Sequence, residues 1–219
     1  MMGVPDGTKP EVTSDALQPI VANGIQCMSM SFVASDRTPA VWRGPMASSA
    51  LQQLLSQTNW QNVDYLIVDM PPGTGDIQLT LSQNTALAGA VIVTTPQDIA
   101  LLDARKAIEM FRKVEVPILG IIENMSTHIC SECGHEEAIF GEGGGLSIAQ
   151  EYGVSLLGKL PLSISIREQS DGGKPTVLNE PEGNVAKSFR QIAIQIDKTM
   201  SGIANSAANQ GPVIQILDD

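Results

Sequence analysis

Apolar residues recur along the chain in two spacings, and each spacing predicts a type of regular element. Uninterrupted apolar runs that end in turn residues predict buried strands, whereas apolar residues three and four positions apart predict helices. The predicted strands cover residues 25–33, 63–69, 89–94, 116–122 and 155–160, and the predicted helices cover 47–57, 77–86, 97–114, 147–152 and 181–200. Strands that alternate with helices favour an α/β fold in which a mostly parallel sheet carries helices on both faces.

Length and composition favour one globular domain. The chain has 219 residues, of which 42% are hydrophobic, which is enough to bury a substantial core. We expect a single domain over residues 1–200 and a flexible tail over residues 201–219, where small and polar residues predominate and the last two residues are acidic. The sequence contains no internal repeat that would indicate a second domain.

Charge and hydropathy exclude several classes of partner. The formal net charge is -11, so nucleic acids and anionic membrane surfaces would repel the protein. No apolar stretch reaches the roughly 18 residues needed to span a bilayer, and residues 1–10 lack a basic region followed by an apolar one. These features predict a cytoplasmic protein that binds neither nucleic acid nor membrane.

The most informative segment covers residues 63–76, where an apolar run ends in an acid and continues into a turn of prolines and glycines. An acid at the carboxyl end of a buried parallel strand faces the crevice where α/β sheets bind ligands. Asp69 is therefore the Walker B candidate, which would hold Mg²⁺. Gly73 and Gly75 have no Cβ and would let backbone N–H groups approach a phosphate. Asp76 would polarise water, anchor this turn or cap the following helix.

Cys130 and Cys133 form a second candidate site, because their spacing lets one turn present both sulfurs to a metal. Two thiolates leave a four-iron cluster half ligated, whereas a symmetric dimer supplies four. The pair also fits a zinc site with His128 and His135, a redox pair or a structural role. Cys27, in contrast, fits a small buried residue in a strand.

Several segments together resemble the Mrp/ApbC family of iron-sulfur cluster carriers, which are deviant P-loop ATPases related to MinD and nitrogenase iron protein. The resemblance covers residues 1–200. Besides the Asp69 turn and the cysteine pair, the matching segments occur in the family's order: Trp42-Arg43-Gly44-Pro45-Met46, Val93-Thr94-Thr95-Pro96-Gln97, Glu123-Asn124-Met125-Ser126 and Leu157-Gly158-Lys159-Leu160-Pro161-Leu162.

This resemblance implies a P-loop NTPase-like fold and a [4Fe-4S] cluster bridged between two copies by Cys130 and Cys133. It implies a homodimer that receives the cluster from scaffold proteins and transfers it to apo iron-sulfur proteins. In the family this transfer is coupled to the binding and hydrolysis of ATP with Mg²⁺. A non-catalytic, metal-dependent dimerisation partner is the alternative function.

The resemblance also assigns roles at the nucleotide. Asp69 would hold magnesium and Gly73 would sense the γ-phosphate. Asn124 matches the asparagine that reads adenine in the family, although an Asn at a strand end also forms turns. Pro161 matches the second base-contacting segment, although it fits a simple strand terminator as well.

One family motif does not occur in the sequence. The Gly-rich phosphate loop that ends in Gly-Lys-Ser/Thr is missing, and residues 141–145 do not replace it because they lack the Lys-Ser/Thr pair. We expect either a fragment or a naturally short form that hydrolyses ATP poorly alone, with an exposed edge where the family's first strand lies. A MinD-like positioning ATPase would need a basic amphipathic helix at the carboxyl end, which residues 211–219 do not provide.

Overall fold

A computed structural model describes residues 1–209 except residues 14, 34–43, 71–75 and 131. The strands are β1 (Val12–Thr13), β2 (Ala16–Leu17), β3 (Ile20–Ala22), β4 (Ile25–Cys27), β5 (Ala90–Thr94), β6 (Ile118–Glu123), β7 (His128–Ile129), β8 (Glu136–Glu137) and β9 (Leu156–Lys159). The helices are α1 (Met30–Val33), α2 (Gly44–Ser56), α3 (Asp76–Asn84), α4 (Asp98–Lys113), α5 (Gly144–Tyr152), α6 (Ile164–Asp171), α7 (Thr176–Asn179) and α8 (Asn184–Asn209).

These elements form two compact units. The first unit comprises Met1–Ala86 and Ile164–Asn179, and the second comprises Leu87–Ser163 and the chain from Glu180 onward. In the first unit, β1 pairs with β2 and β3 pairs with β4, both antiparallel. Helix α2 packs against α3, and α6 packs against α7. The single-domain boundary at residue 200 stays a prediction.

Two strand predictions in the first unit are wrong. The strand predicted over residues 25–33 ends at Cys27, and α1 begins at Met30. Residues 63–69 form no strand at all, and the side chains of Tyr65, Leu66 and Ile67 are exposed. An apolar run becomes a buried strand only where a neighbouring strand accepts its backbone hydrogen bonds. No strand among the described residues pairs with this segment.

The second unit contains a parallel sheet in the order β5-β6-β9. Helix α4 connects β5 to β6, and α5 lies in the connection from β6 to β9, as parallel strands require. The apolar runs of the strands predicted this sheet correctly.

Alternate residues of the sheet pack against helices on opposite faces. On one face, Ile92 and Ile121 join the buried residues of α4 and α5, among them Ile108 and Ile148. On the other face, a second core contains residues of α8 and of all three strands: Val91, Ile122, Leu157, Phe189 and Ile192. Helices therefore cover both faces, which confirms the predicted fold class.

The helix boundaries in the second unit differ at two places. Helix α5 begins at Gly144, three residues before its predicted start, within the Gly-rich run. Helix α8 begins at Asn184 and continues to Asn209, into the segment predicted to be a tail. In the part of the chain that the structure describes, no helix is long and apolar enough to cross a membrane.

Candidate functional site

The carboxyl ends of β6 and β9 lie side by side, because the two strands are parallel neighbours. Register places Glu123 between Thr94 of β5 and Lys159 of β9. The Asn124 N–H donates to the Thr94 carbonyl at 2.7 Å, and the Leu160 N–H donates to the Glu123 carbonyl at 2.9 Å. This edge is where open α/β sheets bind ligands.

Hydrogen bonds continue beyond both strand ends and join residues 123–128 to residues 160–162. The Ser126 N–H and Oγ both donate to the Leu160 carbonyl, at 2.9 and 3.1 Å. The Leu162 N–H donates to the Thr127 carbonyl at 2.8 Å. The His128 Nδ1 lies 3.4 Å from the Leu162 carbonyl, which makes this nitrogen the donor. We call these contacts the strand-end ladder.

Asn124 and Pro161, the two predicted base-contacting residues, lie on the two sides of this ladder. The Asn124 Oδ1 accepts the N–H of Met125 at 3.0 Å. Because a backbone N–H can only donate, this bond fixes which end of the amide is oxygen. Met125 adopts a left-handed conformation with φ of 55°. The base-reading roles of Asn124 and Pro161 stay predictions.

Glu123 is a buried carboxylate at the centre of this edge, with a side chain that is 1% exposed. Its Oε2 accepts the Gly145 N–H at 2.7 Å, and its Oε1 lies 3.3 Å from the Lys159 Nζ. The positive end of a helix macrodipole stabilises an anion placed there. The N-terminus of α5 therefore binds the Glu123 carboxylate, an anion that the chain itself supplies.

The predicted cysteines lie at the tip of an antiparallel hairpin, which we call the cysteine hairpin (residues 128–137). His128–Ile129 pairs with Glu136–Glu137. At the tip, the Cys130 N–H donates to the His135 carbonyl, and the Gly134 N–H donates to the Cys130 carbonyl, both at 2.9 Å. One short turn therefore carries both cysteines, as the sequence spacing predicts.

The environment of Cys130 favours its thiolate. The backbone N–H of Cys133, followed by that of Glu132, donates to the Cys130 sulfur and lowers the pKa of this thiol. Neither thiol of the pair is in a disulfide; Cys130 is half-buried and Cys133 is exposed. Because the deprotonated sulfur binds metals, the tip has the chemistry of a metal ligand. Burial raises the pKa of the Cys27 thiol in β4.

The two histidines and the two cysteines form no group of three ligands around one point. The Nδ1 of His128 donates in the strand-end ladder, which leaves Nε2 as the nitrogen that could bind a metal, and His135 is exposed at the tip. Within residues 1–209, excluding the gaps named above, no three His, Cys, Asp or Glu side chains gather around one point. The zinc alternative therefore has no preformed set of three ligands in the described part of one chain.

The residues predicted to bind magnesium and phosphate belong to the first unit. Asp69 is exposed at the end of the irregular stretch 63–69. Asp76 is the first residue of α3. Gly73 and Gly75 lie outside the described residues. The structure thus places Asn124 and Pro161 in neighbouring segments that are joined by hydrogen bonds, and it places both cysteines in one turn. The roles of Asp69, Gly73 and Asp76 stay predictions.

The sequence patterns do not indicate the individual roles of Glu123 and Ser126. Both residues occur in the segment 123–126 that resembles a family motif. One signal was available: a charged residue that directly follows the apolar run Ile118–Ile122 lies in a buried strand and needs a partner. The partner itself, an N–H of α5, comes from a distant part of the sequence.

Comparison with known proteins gives the family. The family described as NUBPL iron-transfer P-loop NTPase matches residues 1–197. The chain belongs to this family. Membership confirms the resemblance that the sequence motifs indicated.

Relatives in this family cover much of the chain. An iron-sulfur cluster carrier protein of Pseudomonas fragi is 56% identical over 195 residues, which are 89% of this chain and 68% of that protein. The iron-sulfur cluster carrier protein of Escherichia coli strain K12 is 55% identical over 192 residues, which are 88% of this chain and 50% of that protein. The chain thus spans between half and about two thirds of the length of these relatives.

A solved structure supports the same fold. The nucleotide-binding protein from Archaeoglobus fulgidus, solved in complex with ADP, is 32% identical and superposes with a TM-score of 0.67. The match covers 83% of this chain and 70% of that one. The P-loop NTPase-like fold predicted from the sequence is confirmed.

Proposed function

We propose that this member of the iron-transfer P-loop NTPases carries a [4Fe-4S] cluster between two copies of the chain and transfers it to apo-proteins. The cysteine hairpin is the observation that carries the proposal. Its tip presents two thiols, one exposed and one with a lowered pKa, in a family named for iron transfer. Scaffold proteins would supply the cluster, and apo iron-sulfur proteins would receive it.

The number of thiolates supports a shared cluster. A four-iron cluster takes four protein ligands, and one hairpin offers Cys130 and Cys133. A two-fold axis that passes between two hairpins would supply all four from identical surfaces. Because Cys133 is exposed, its sulfur is accessible to a second copy.

The adenine of a nucleotide would bind at the edge formed by the carboxyl ends of the strands, where Asn124 and Pro161 would contact it. The family resemblance assigns Mg²⁺ to Asp69, the γ-phosphate to Gly73 and the polarisation of water to Asp76. The relative from Archaeoglobus fulgidus was solved with ADP, which supports a nucleotide site in this fold. Without a Gly-Lys-Ser/Thr loop in the sequence, this chain alone should bind Mg-ATP weakly and hydrolyse it poorly.

Anaerobic reconstitution with iron and sulfide tests the cluster. We expect about four irons and four sulfides for every two chains, with the broad visible absorption of a [4Fe-4S] centre. Cys133→Ser should abolish this absorption, because it removes one of the two ligands from each chain. Cys27→Ser is the matched control and should leave the iron content unchanged, because Cys27 lies in β4 and is not part of the cysteine hairpin.

Two outcomes would contradict the proposal. Stoichiometric zinc in protein purified without oxygen, combined with no uptake of iron, would favour a zinc site instead. Undiminished iron in Cys133→Ser would show that iron binding does not depend on the hairpin, and equal loss of iron in Cys27→Ser would show that the loss is not specific to the hairpin cysteines.

A further inference from the structure

We propose that Ser126 is a positioning residue that orients the cysteine hairpin so that two copies can share one cluster. The inference rests on the proposed function, because it concerns how the hairpin is held when it binds its cargo. Ser126 does not contact the cluster in this proposal. It acts through the strand-end ladder.

Ser126 makes two hydrogen bonds to one carbonyl. Its N–H and its hydroxyl both donate to the Leu160 oxygen, and the residue is 6% exposed. The Leu160 N–H donates in turn to the Glu123 carbonyl. Leu160 is therefore held on both sides by the segment that leads from β6 to the hairpin. A buried hydroxyl with a defined acceptor fixes the position of the backbone that carries it.

The residue before Ser126 makes this anchoring necessary. Met125 is a non-glycine residue with φ of 55°, a conformation that is costly without support from its surroundings. Support comes from the Asn124 Oδ1 on one side and from the Ser126 bonds on the other. The direction in which the chain leaves the sheet toward Cys130 is thus set by residues 124–126, and the ladder bonds of Thr127 and His128 to Leu162 continue it.

Besides the pairing of β7 with β8, two separate sets of bonds define the hairpin. The tip bonds, Cys130 to His135 and Gly134 to Cys130, set how the two sulfurs lie relative to each other. The strand-end ladder sets how the whole hairpin projects from the sheet. A ligand that binds both thiols of one chain depends on the tip alone. A cluster shared by two chains depends on the tip and on the projection, because both hairpins must meet with matching orientation.

This difference gives a test that separates positioning from general stability. We compare the full chain with Ser126→Ala, which removes the hydroxyl, and with Ser126→Thr, which retains one. Phenylarsine oxide, which binds two neighbouring thiols, reports the tip. The rate at which an iron chelator removes the reconstituted cluster reports the shared site. Thr58→Ala is the matched control, because the buried Thr58 hydroxyl donates to the Leu54 carbonyl in the first unit.

We expect Ser126→Ala to lose the cluster between about twofold and tenfold faster than the wild type, the range that corresponds to the loss of one buried hydrogen bond. Its affinity for phenylarsine oxide should be unchanged. Ser126→Thr should restore most of the cluster lifetime, and Thr58→Ala should match the wild type in both measurements even if its melting temperature falls.

Three results would overturn the assignment of Ser126. The first is a cluster lifetime in Ser126→Ala equal to that of the wild type. The second is a parallel loss of arsenical binding, which would show that the tip itself has been disrupted. The third is an equally short cluster lifetime in Thr58→Ala, which would show a general effect of stability. Failure of the wild type to take up any cluster would instead contradict the proposed function, and the arsenical measurement would still show whether the thiol pair is intact.

Discussion

At the residue scale, the three cysteines differ in their surroundings. Cys27 lies in β4, where burial raises the pKa of its thiol. Cys130 lies where backbone N–H groups of Cys133 and Glu132 lower the pKa of its thiol. A lower pKa gives a larger thiolate fraction near neutral pH, and the thiolate is the reactive form. Cys130 should therefore react with an alkylating reagent before Cys27 does.

This difference predicts the order of alkylation. In single-cysteine variants treated with iodoacetamide from about pH 6 to about pH 11, a range that brackets the ordinary pKa of a thiol, Cys130 should reach its half-maximal rate at a lower pH than Cys27. Replacing Cys133 removes the side-chain hydrogen bond that also lowers the pKa of Cys130, but the backbone N–H groups of residues 132 and 133, which lower it more, remain. Mass spectrometry of the alkylated peptides gives both rates. Equal pH profiles would contradict the view that the turn stabilises the Cys130 thiolate.

Glu123 is a buried charged residue, and each oxygen of its carboxylate has a partner. The carboxylate would be costly to bury alone, but it has the Gly145 N–H and the Lys159 ammonium as partners. Lys159 is half exposed, so solvent weakens this ion pair and the N–H bond carries more of the stabilisation. Glu123 thereby ties three separate sequence segments together next to Asn124.

At the element scale, the start of α5 depends on residues without a Cβ. A Cβ on Gly144 would lie 2.7 Å from Leu101 Cδ1 and 3.0 Å from the Pro96 carbonyl oxygen. A Cβ on Gly145 would lie 3.0 Å from Glu123 Cβ. Gly144 and Gly145 thus allow close packing of α5 against α4 and β6, whereas Gly141 and Gly143 have the positive φ that favours glycine. Together these needs explain the composition of the run without any phosphate.

This packing predicts opposite effects for two glycine substitutions. Gly144→Ala should destabilise the protein by about 1–3 kcal/mol, because the added methyl group overpacks against Leu101 and a backbone carbonyl. Gly202→Ala in α8 is the matched control. Its Cβ meets nothing within 4 Å, so the better helix propensity of alanine should stabilise α8 by up to about 1 kcal/mol. Urea unfolding measures both changes. A neutral Gly144→Ala would mean that α5 can shift without cost.

The elements also show what the sequence can predict. The apolar periodicity of residues 97–114 predicts α4, and the apolar run 116–122 predicts β6, because these patterns are local. The prediction for residues 63–69 failed because a strand depends on a partner that its own residues do not encode. The cysteine spacing identified the hairpin tip, but the two-residue strands β7 and β8 are too short to leave a pattern. The bond from Ser126 to Leu160 joins residues too far apart in sequence for any local pattern to indicate it.

At the scale of the whole molecule, charge opposes the association of two copies. Each chain carries a formal net charge of -11. Three of its acidic residues, Glu132, Glu136 and Glu137, lie in the cysteine hairpin. In the proposed arrangement these carboxylates would approach their counterparts across the axis. Like charges repel at short range, and added salt screens them. A bound cluster must therefore contribute enough ligand bonds to offset this repulsion.

This balance predicts a dimer that depends on its cargo. Sedimentation velocity at low salt should show dimer with the cluster bound and more monomer after chelation, because a ligand that bridges two chains stabilises their association. Cys130→Ser should remain monomeric after attempted reconstitution, whereas Cys27→Ser should behave as the wild type. Raising the salt concentration should shift the apo protein toward dimer, because screening reduces the repulsion between the hairpins. A dimer that persists unchanged without the cluster and in Cys130→Ser would place the interface elsewhere. The edge of β5 that pairs with no strand among the described residues would then be the surface to examine.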